Sequence, residues 1–340
     1  LVYTDNELWI GTESGVYIYN LRTEKYTHLR SSEYDPYSLS DNAIYSFCKD
    51  REDGIWIGSY FGGVNYYPRS YTYFEKYYPK GIENSLHGKR VREFCRDSQG
   101  ILWIGTEDGG LNRFNLKTKD FSFFAPSAGF TNIHGLCLVD DKLWVGTFSK
   151  GLKIIDTRTG TVLKTYQKNS SPRSLIDNSI FAICKTATGD IYLGTMFGLV
   201  RYNKQSDDFD RIPELNGKFI YDIKEDSAGN IWLATYANGV YCYNVNDRKW
   251  KNYVHDDKDN TSLPYNKVSS VFEDSHRQIW LTTQGGGFCI FHPESETFTS
   301  YNSTNGLPSD VVYQIVEDKE GQLWLTTNNG LVCFQPNTEA

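Results

Sequence analysis

Leu8-Trp9-Ile10-Gly11-Thr12 decides the fold, because it comes back seven more times along the 340 residues. The copies are Ile55-Trp56-Ile57-Gly58-Ser59, Leu102-Trp103-Ile104-Gly105-Thr106, Leu143-Trp144-Val145-Gly146-Thr147 and Ile191-Tyr192-Leu193-Gly194-Thr195. Three eroded copies follow: Ile231-Trp232-Leu233-Ala234-Thr235, Ile279-Trp280-Leu281-Thr282-Thr283 and Leu323-Trp324-Leu325-Thr326-Thr327. From aromatic to aromatic the intervals are 47, 47, 41, 48, 40, 48 and 44 residues. A period of about 40–50 residues with several short strands per unit is the mark of a β-propeller.

Residues 84–124 show one unit in full. Val91–Cys95 reads as a first strand, and Asp97-Ser98-Gln99-Gly100 as a hairpin turn with Gly supplying positive φ. Ile101–Thr106 is the second strand, Glu107-Asp108-Gly109-Gly110 the next turn, Leu111–Phe114 the third strand and Asp120–Phe124 the fourth. The expectation is an all-β chain, residues 1–340 forming a single β-propeller of about eight four-stranded antiparallel blades. A seven-bladed ring plus an extra repeat is the alternative. The anchors Trp9, Trp56, Trp103, Trp144, Tyr192, Trp232, Trp280 and Trp324 are read as packing residues between blades, since each such ring buries about 150–250 Å².

Composition narrows the function. A formal net charge of −7 and the lack of a basic stripe argue against nucleic acid as a partner. No run of 18 apolar residues is present and the first residues are not a signal peptide, so any membrane link is expected through segments outside this chain. Of the seven cysteines, Cys48, Cys95 and Cys184 share one repeat-equivalent position, with Cys137 one residue off. Equivalent positions fall in different blades, so these thiols are expected to be small buried hydrophobes and not disulfides.

The repeat visible from Asp97 to Asn115, D-x-x-G-x-[LI]-W-[IL]-G-T-x-x-G-G-[LV]-x-x-[YF]-[ND], resembles that of the two-component regulator propellers. So does the loop Gly306-Leu307-Pro308-Ser309-Asp310-Val311-Val312, echoed at residues 174–180 and 262–268. The resemblance implies the periplasmic sensor region of a Bacteroides-type hybrid two-component histidine kinase. It implies an oligosaccharide ligand, regulation of polysaccharide utilisation, and neighbouring receptor domains or a second copy of the chain as partners. Family members carry two propellers, a β-sandwich, a membrane helix and a kinase; the last three lie outside this chain, so the propeller itself is expected to be non-catalytic.

A ligand is expected on the rim formed by the inner-strand entries and the loops joining second to third strands. Most such loops are small and polar, but Tyr60-Phe61, Phe148, Met196-Phe197 and Tyr236 place bulk on turn tips, where apolar side chains need a partner to cover them. Aromatic plates flanked by polar groups suit the apolar face and hydroxyl edge of a pyranose. The expected ligand-binding set is Tyr60, Phe61, Arg90, Arg92, His134, Phe148, Met196, Phe197, Tyr221 and Tyr236. Tyr45, His87, Phe181, Phe219, Tyr265 and Tyr313 stand at the other strand entries. Contact with another domain and packing onto the adjacent blade are the alternatives for the loop aromatics. A salt bridge to Glu93 or to an acidic loop is the alternative for Arg90 and Arg92.

Neither a cofactor nor a metal is expected, because no H-E-x-x-H, G-x-S-x-G or phosphate-loop spacing occurs. A glycan hydrolase or lyase would announce itself by a carboxylate pair or a His–metal cluster in the channel mouth with perturbed pKa values. An interaction scaffold would instead present a broad flat patch.

Overall fold

A computed structural model describes residues 1–4, 6–68, 76–81, 83–124 and 129–336. It is all-β: eight antiparallel sheets in chain order, the blades of a β-propeller. Six are four-stranded, and the second and eighth have three strands among the described residues. The chain divides into two compact units, Leu1–Leu86 with the first two sheets and His87–Ala340 with the other six. Within the second unit the inner strands Val91–Arg96, Ile133–Val139, Ile180–Lys185, Ile220–Glu225, Val268–Glu273 and Val312–Glu317 follow one another side by side.

Each residue of the repeated motif has a distinct physical task. The indole N–H of Trp103, Trp232, Trp280 and Trp324 donates to the carboxylate of Asp97, Asp226, Asp274 and Asp318 at 2.7–2.9 Å. The other oxygen of each Asp accepts two backbone N–H groups of its own turn, as Asp97 does from Gln99 and Ile101. One carboxylate therefore closes the hairpin and fixes the ring that follows it. The ring then packs across the blade boundary: Trp144 meets Tyr202, Trp232 meets Phe291 and Trp280 meets Phe334, with centroids 5.0–5.8 Å apart and near edge-on. From the third sheet to the seventh the motif threonine is buried and donates to a glycine carbonyl past the next turn, as Thr147 does to Gly151 at 2.9 Å and Thr283 to Gly287 at 2.8 Å.

The motif glycine is a matter of space. A Cβ on Gly105, Gly146 or Gly194 would lie 2.6–2.7 Å from Cγ2 of Ile133, Ile180 or Ile220 on the next inner strand. Where the motif carries Ala234, the residue packed in the same cluster is the smaller Val268. Gly194→Ala should therefore cost about 1–3 kcal/mol through overpacking. Adding Ile220→Val should recover most of that loss, a coupling that a double-mutant cycle of denaturant unfolding reads directly.

Two expectations need correction. Trp56 is 44% exposed, lying against Tyr66 of its own sheet, with its N–H held by Asp50. It is thus not buried as Trp9, Trp103 and Trp280 are. All seven cysteines are free, as expected, but only Cys242 and Cys289 are buried. These two sit on third strands inside four-stranded sheets, whereas Cys48 and Cys333 are exposed on the two three-stranded ones.

Candidate functional site

Every one of these six inner strands skips a residue in its pairing, and the skipped residues build the site. In the third sheet Val91 pairs with Thr106 and Glu93 with Gly105, leaving Arg92 unpaired. The same bulge leaves out His134, Phe181, Tyr221, Ser269 and Tyr313 in the sheets that follow, and Tyr45 in the first unit. A bulge re-aims the side chain it releases. Arg92, His134, Phe181, Tyr221, Ser269 and Tyr313 all line one cavity of about 320 Å³. Just below them the next residues of five of these strands, Glu93, Gly135, Ala182, Asp222 and Gln314, line it too. Gly135 and Ala182 leave the room, and Glu93, Asp222 and Gln314 supply polarity.

The upper part of this site is aromatic. Phe148 lies 5.9 Å from His134, which lies 4.5 Å from Phe181, and Phe181 is 4.4 Å from Phe219 and 6.0 Å from Tyr221. Phe219 stacks on Tyr236 at 5.2 Å, and the Lys267 ammonium sits 4.2 Å above the Tyr236 ring. The result is a continuous arc from the fourth to the seventh sheet, buried at Phe181 and open to solvent at Phe148 and Tyr236.

The lower part is polar. Burial pushes the Glu93 carboxyl up to about 8, with the Asp222 charge acting the same way and Arg92 opposing it. Burial also raises Asp222, although its oxygens accept the backbone N–H groups of Ile223 at 2.8 Å and Val271 at 3.1 Å. His134 is pushed down to about 4 by burial and then by the Arg92 charge, so it is neutral at pH 7. Its Nδ1 and the Ser269 hydroxyl have no hydrogen-bond partner, although the two residues are only 6% and 3% exposed. Among the described residues no group of three or more His, Cys, Asp or Glu is arranged to hold a metal ion.

Of the expected ligand set, Arg92, His134 and Tyr221 line the cavity, and Phe148 and Tyr236 join its arc. The Arg92 guanidinium donates to Glu107 at 3.1 Å, with Arg90 3.6 Å from the same carboxylate, so the acidic-loop alternative describes both arginines. Met196 is half-buried, and Phe197 points outward, 52% exposed, beside the arc and not in it. Tyr60 and Phe61 belong to the first unit, where Tyr60 stacks on Tyr45 at 5.0 Å and touches Phe61 at 4.3 Å. His87, expected at a strand entry, stacks at 3.5 Å on Phe123 of the fourth strand, its backbone held by the Asn112 side chain. Ser269, Lys267, Glu93 and Gln314 were not among the expected residues. Aligning the repeats on the bulge would have brought out Ser269, Glu93 and Gln314, since each copy contributes the same two positions.

Four stretches of the chain, residues 38–61, 85–108, 214–237 and 306–329, match the two component regulator propeller family. Histidine kinase P4 of Formosa agariphila is 29% identical over 177 residues, 49% of this chain and 12% of that protein. Among solved structures, one is described as the extracellular domain of a hybrid two component system of B. thetaiotaomicron. It shares 24% identity and a TM-score of 0.54, over 98% of this chain and 50% of its own. Virginiamycin B lyase of Staphylococcus aureus shares 14% identity and a TM-score of 0.54, over 74% of this chain and 85% of its own. The chain therefore spans about an eighth of the curated relative and half of the first solved one, and both structural likenesses concern the fold.

Proposed function

From a chain that carries two-component regulator propeller repeats, we propose a ligand-sensing segment of a hybrid two-component receptor, exposed to the periplasm and recognising an oligosaccharide. The observation that carries this reading is the arc Phe148–His134–Phe181–Phe219–Tyr236 set around the mouth of an open polar cavity. Solvent-facing aromatic plates beside hydrogen-bonding groups match a sugar ring, which is apolar on one face and hydroxylated at its edge. Among the described residues no helix is long and apolar enough to cross a membrane, so signal transfer falls to parts of the receptor beyond these residues. Coupling then requires contacts made in only one arrangement of domains or protomers, with the rigid blades moving as bodies.

Titration calorimetry of this chain against host and plant oligosaccharides tests the reading. A fragment is expected to bind, and Phe148→Ala with Tyr236→Ala should weaken it about 10–100-fold, each ring contributing roughly 0.5–1.5 kcal/mol beyond its buried area. Phe197→Ala should leave the affinity within about twofold. Absence of heat with every fragment would sink the ligand claim.

A glycan-cleaving enzyme is favoured by one observation, the Glu93 and Asp222 carboxyls in the cavity with raised pKa values. Acid and nucleophile roles, however, need two carboxyls whose environments push them apart. Burial pushes both of these in the same direction, so their environments do not set them apart as those roles require. Mass analysis of the same oligosaccharides after long incubation should therefore return them uncut.

A further inference from the structure

Resting on that ligand-binding reading and deepening it, we propose that the well beneath the aromatic arc takes a protonated amine. The ligand would be a glycan fragment with a free amino sugar, its ring on the arc and its ammonium between Glu93 and Asp222. Four groups converge there. Glu93 and Asp222 come from the third and sixth sheets, His134 from the fourth and Ser269 from the seventh, and all four line the same cavity. His134 and Ser269 are more than nine-tenths buried, yet His134 Nδ1 and Ser269 Oγ have no hydrogen-bond partner within the protein. An unmet buried polar group costs about 1–3 kcal/mol, so two in one cavity point to an occupant that satisfies them.

The chemistry of the four selects the occupant. A neutral imidazole nitrogen, a hydroxyl and two carboxyls can together accept every N–H that an ammonium offers. The Arg92 charge acts on Glu93 and His134 through space, but the guanidinium is itself held elsewhere. Arg92, on the strand of Glu93, donates to Glu107 at the rim, and Lys224 reaches Asp222 only as a through-space charge. The fifth sheet contributes the apolar Phe181, Ala182 and Ile183, and the eighth contributes Tyr313 and Gln314 without charge. Without a cation in the well, burial keeps Glu93 protonated near neutral pH. An arriving ammonium reverses that balance: the Glu93 O–H proton leaves to buffer, the carboxylate stays and pairs with the amine, and the amine keeps its own three protons. A hydroxyl in the same place would gain nothing from the two carboxyls' charge. The volume of about 320 Å³ lies at the small end of ligand pockets, roughly 300–1,000 Å³.

The test compares chitobiose bearing two free amines with its di-N-acetylated form, by calorimetry at about pH 6, where the amine and Glu93 both carry their protons, in two buffers of different ionisation heat. The free amine is expected to bind at least tenfold more tightly than the acetylated sugar and to release a fraction of a proton. Glu93→Gln should weaken it at least tenfold and abolish the proton release, and Ser269→Ala should weaken it severalfold, with far-ultraviolet circular dichroism confirming that both variants fold. Equal binding of the two sugars, binding without proton release, or unchanged affinity in Glu93→Gln would each overturn the proposal. Should the acetylated or a neutral oligosaccharide bind as tightly as the free amine, and lose that binding in the Phe148→Ala, Tyr236→Ala variant, the oligosaccharide reading stands while the amine well falls. Failure of every sugar overturns both.

Discussion

Asp274→Ala should destabilise the protein by about 3 kcal/mol, read as a shift in the denaturant midpoint at unchanged slope. The side chain is 6% exposed and accepts three N–H groups. These are the Trp280 indole at 2.8 Å and the backbones of His276 at 2.9 Å and Gln278 at 2.8 Å. Hydrogen bonds to a charged acceptor contribute about 1.5–3 kcal/mol each, and those sharing one acceptor add less than their sum. The backbone donors lie in a hairpin and can turn to water. The indole cannot, because Trp280 is 1% exposed between Phe288 of its own sheet and Phe334 of the next. Its orphaned N–H therefore carries most of the cost, and Asp97→Ala should behave alike, since Trp103 is fully buried. Asp274→Asn should cost less, because the amide oxygen still accepts. A loss below about 1 kcal/mol for Asp274→Ala would show that the aspartate serves its turn and not the ring.

The division between what was legible in the sequence and what was not follows the same geometry. Leu102-Trp103-Ile104-Gly105-Thr106 announces a strand buried on both faces, and its spacing counts the sheets, because each copy is the second strand of its sheet. Gly194 facing Ile220, and Ala234 packed with Val268, are likewise written in the repeats, one change answering another. Rim orientation is harder to read. Phe148 and Phe197 occupy corresponding loops with similar bulk, yet Phe148 lies 6.0 Å from Phe181 while Phe197 points away into solvent. A loop one residue shorter or longer turns the tip, and nothing local to it reveals the direction. Arg92, His134 and Tyr221 were identified as strand entries, but pairing periodicity alone would have pointed them into the blade interface. The bulge redirects them, and it shows only in the pairing. Asp222 is legible as a carboxylate that could converge with others, whereas Glu93 stays hidden for another reason. A carboxylate on a strand reads as solvent-facing, and only the convergence of six sheets makes this position an interior one.

That convergence should leave a pH signature in the stability of the empty protein. Glu93 is raised from 4.5 to about 8 on folding, so between these values the unfolded chain has lost the proton that the folded chain keeps. Unfolding then releases a proton, and stability falls as pH rises through this window. His134 works from the other side. Its pKa drops from 6.5 to about 4, so the unfolded chain gains a proton first and stability falls as pH decreases from about 6.5 towards 4. Acting together, the two confine the greatest stability to a band near pH 5–6, bounded above by the carboxyl and below by the imidazole. Glu93→Gln removes the upper limb. Its stability relative to the parent should rise by about 1–3 kcal/mol between pH 5 and pH 8, measured by urea unfolding at both values. Since Asp222 contributes to the Glu93 shift, Asp222→Asn should flatten the same limb by a smaller amount and lower the Glu93 midpoint. Parallel pH curves for the parent and Glu93→Gln would mean that water reaches the carboxyl freely, and the low-dielectric interior that gives the cavity its chemistry would be lost with it.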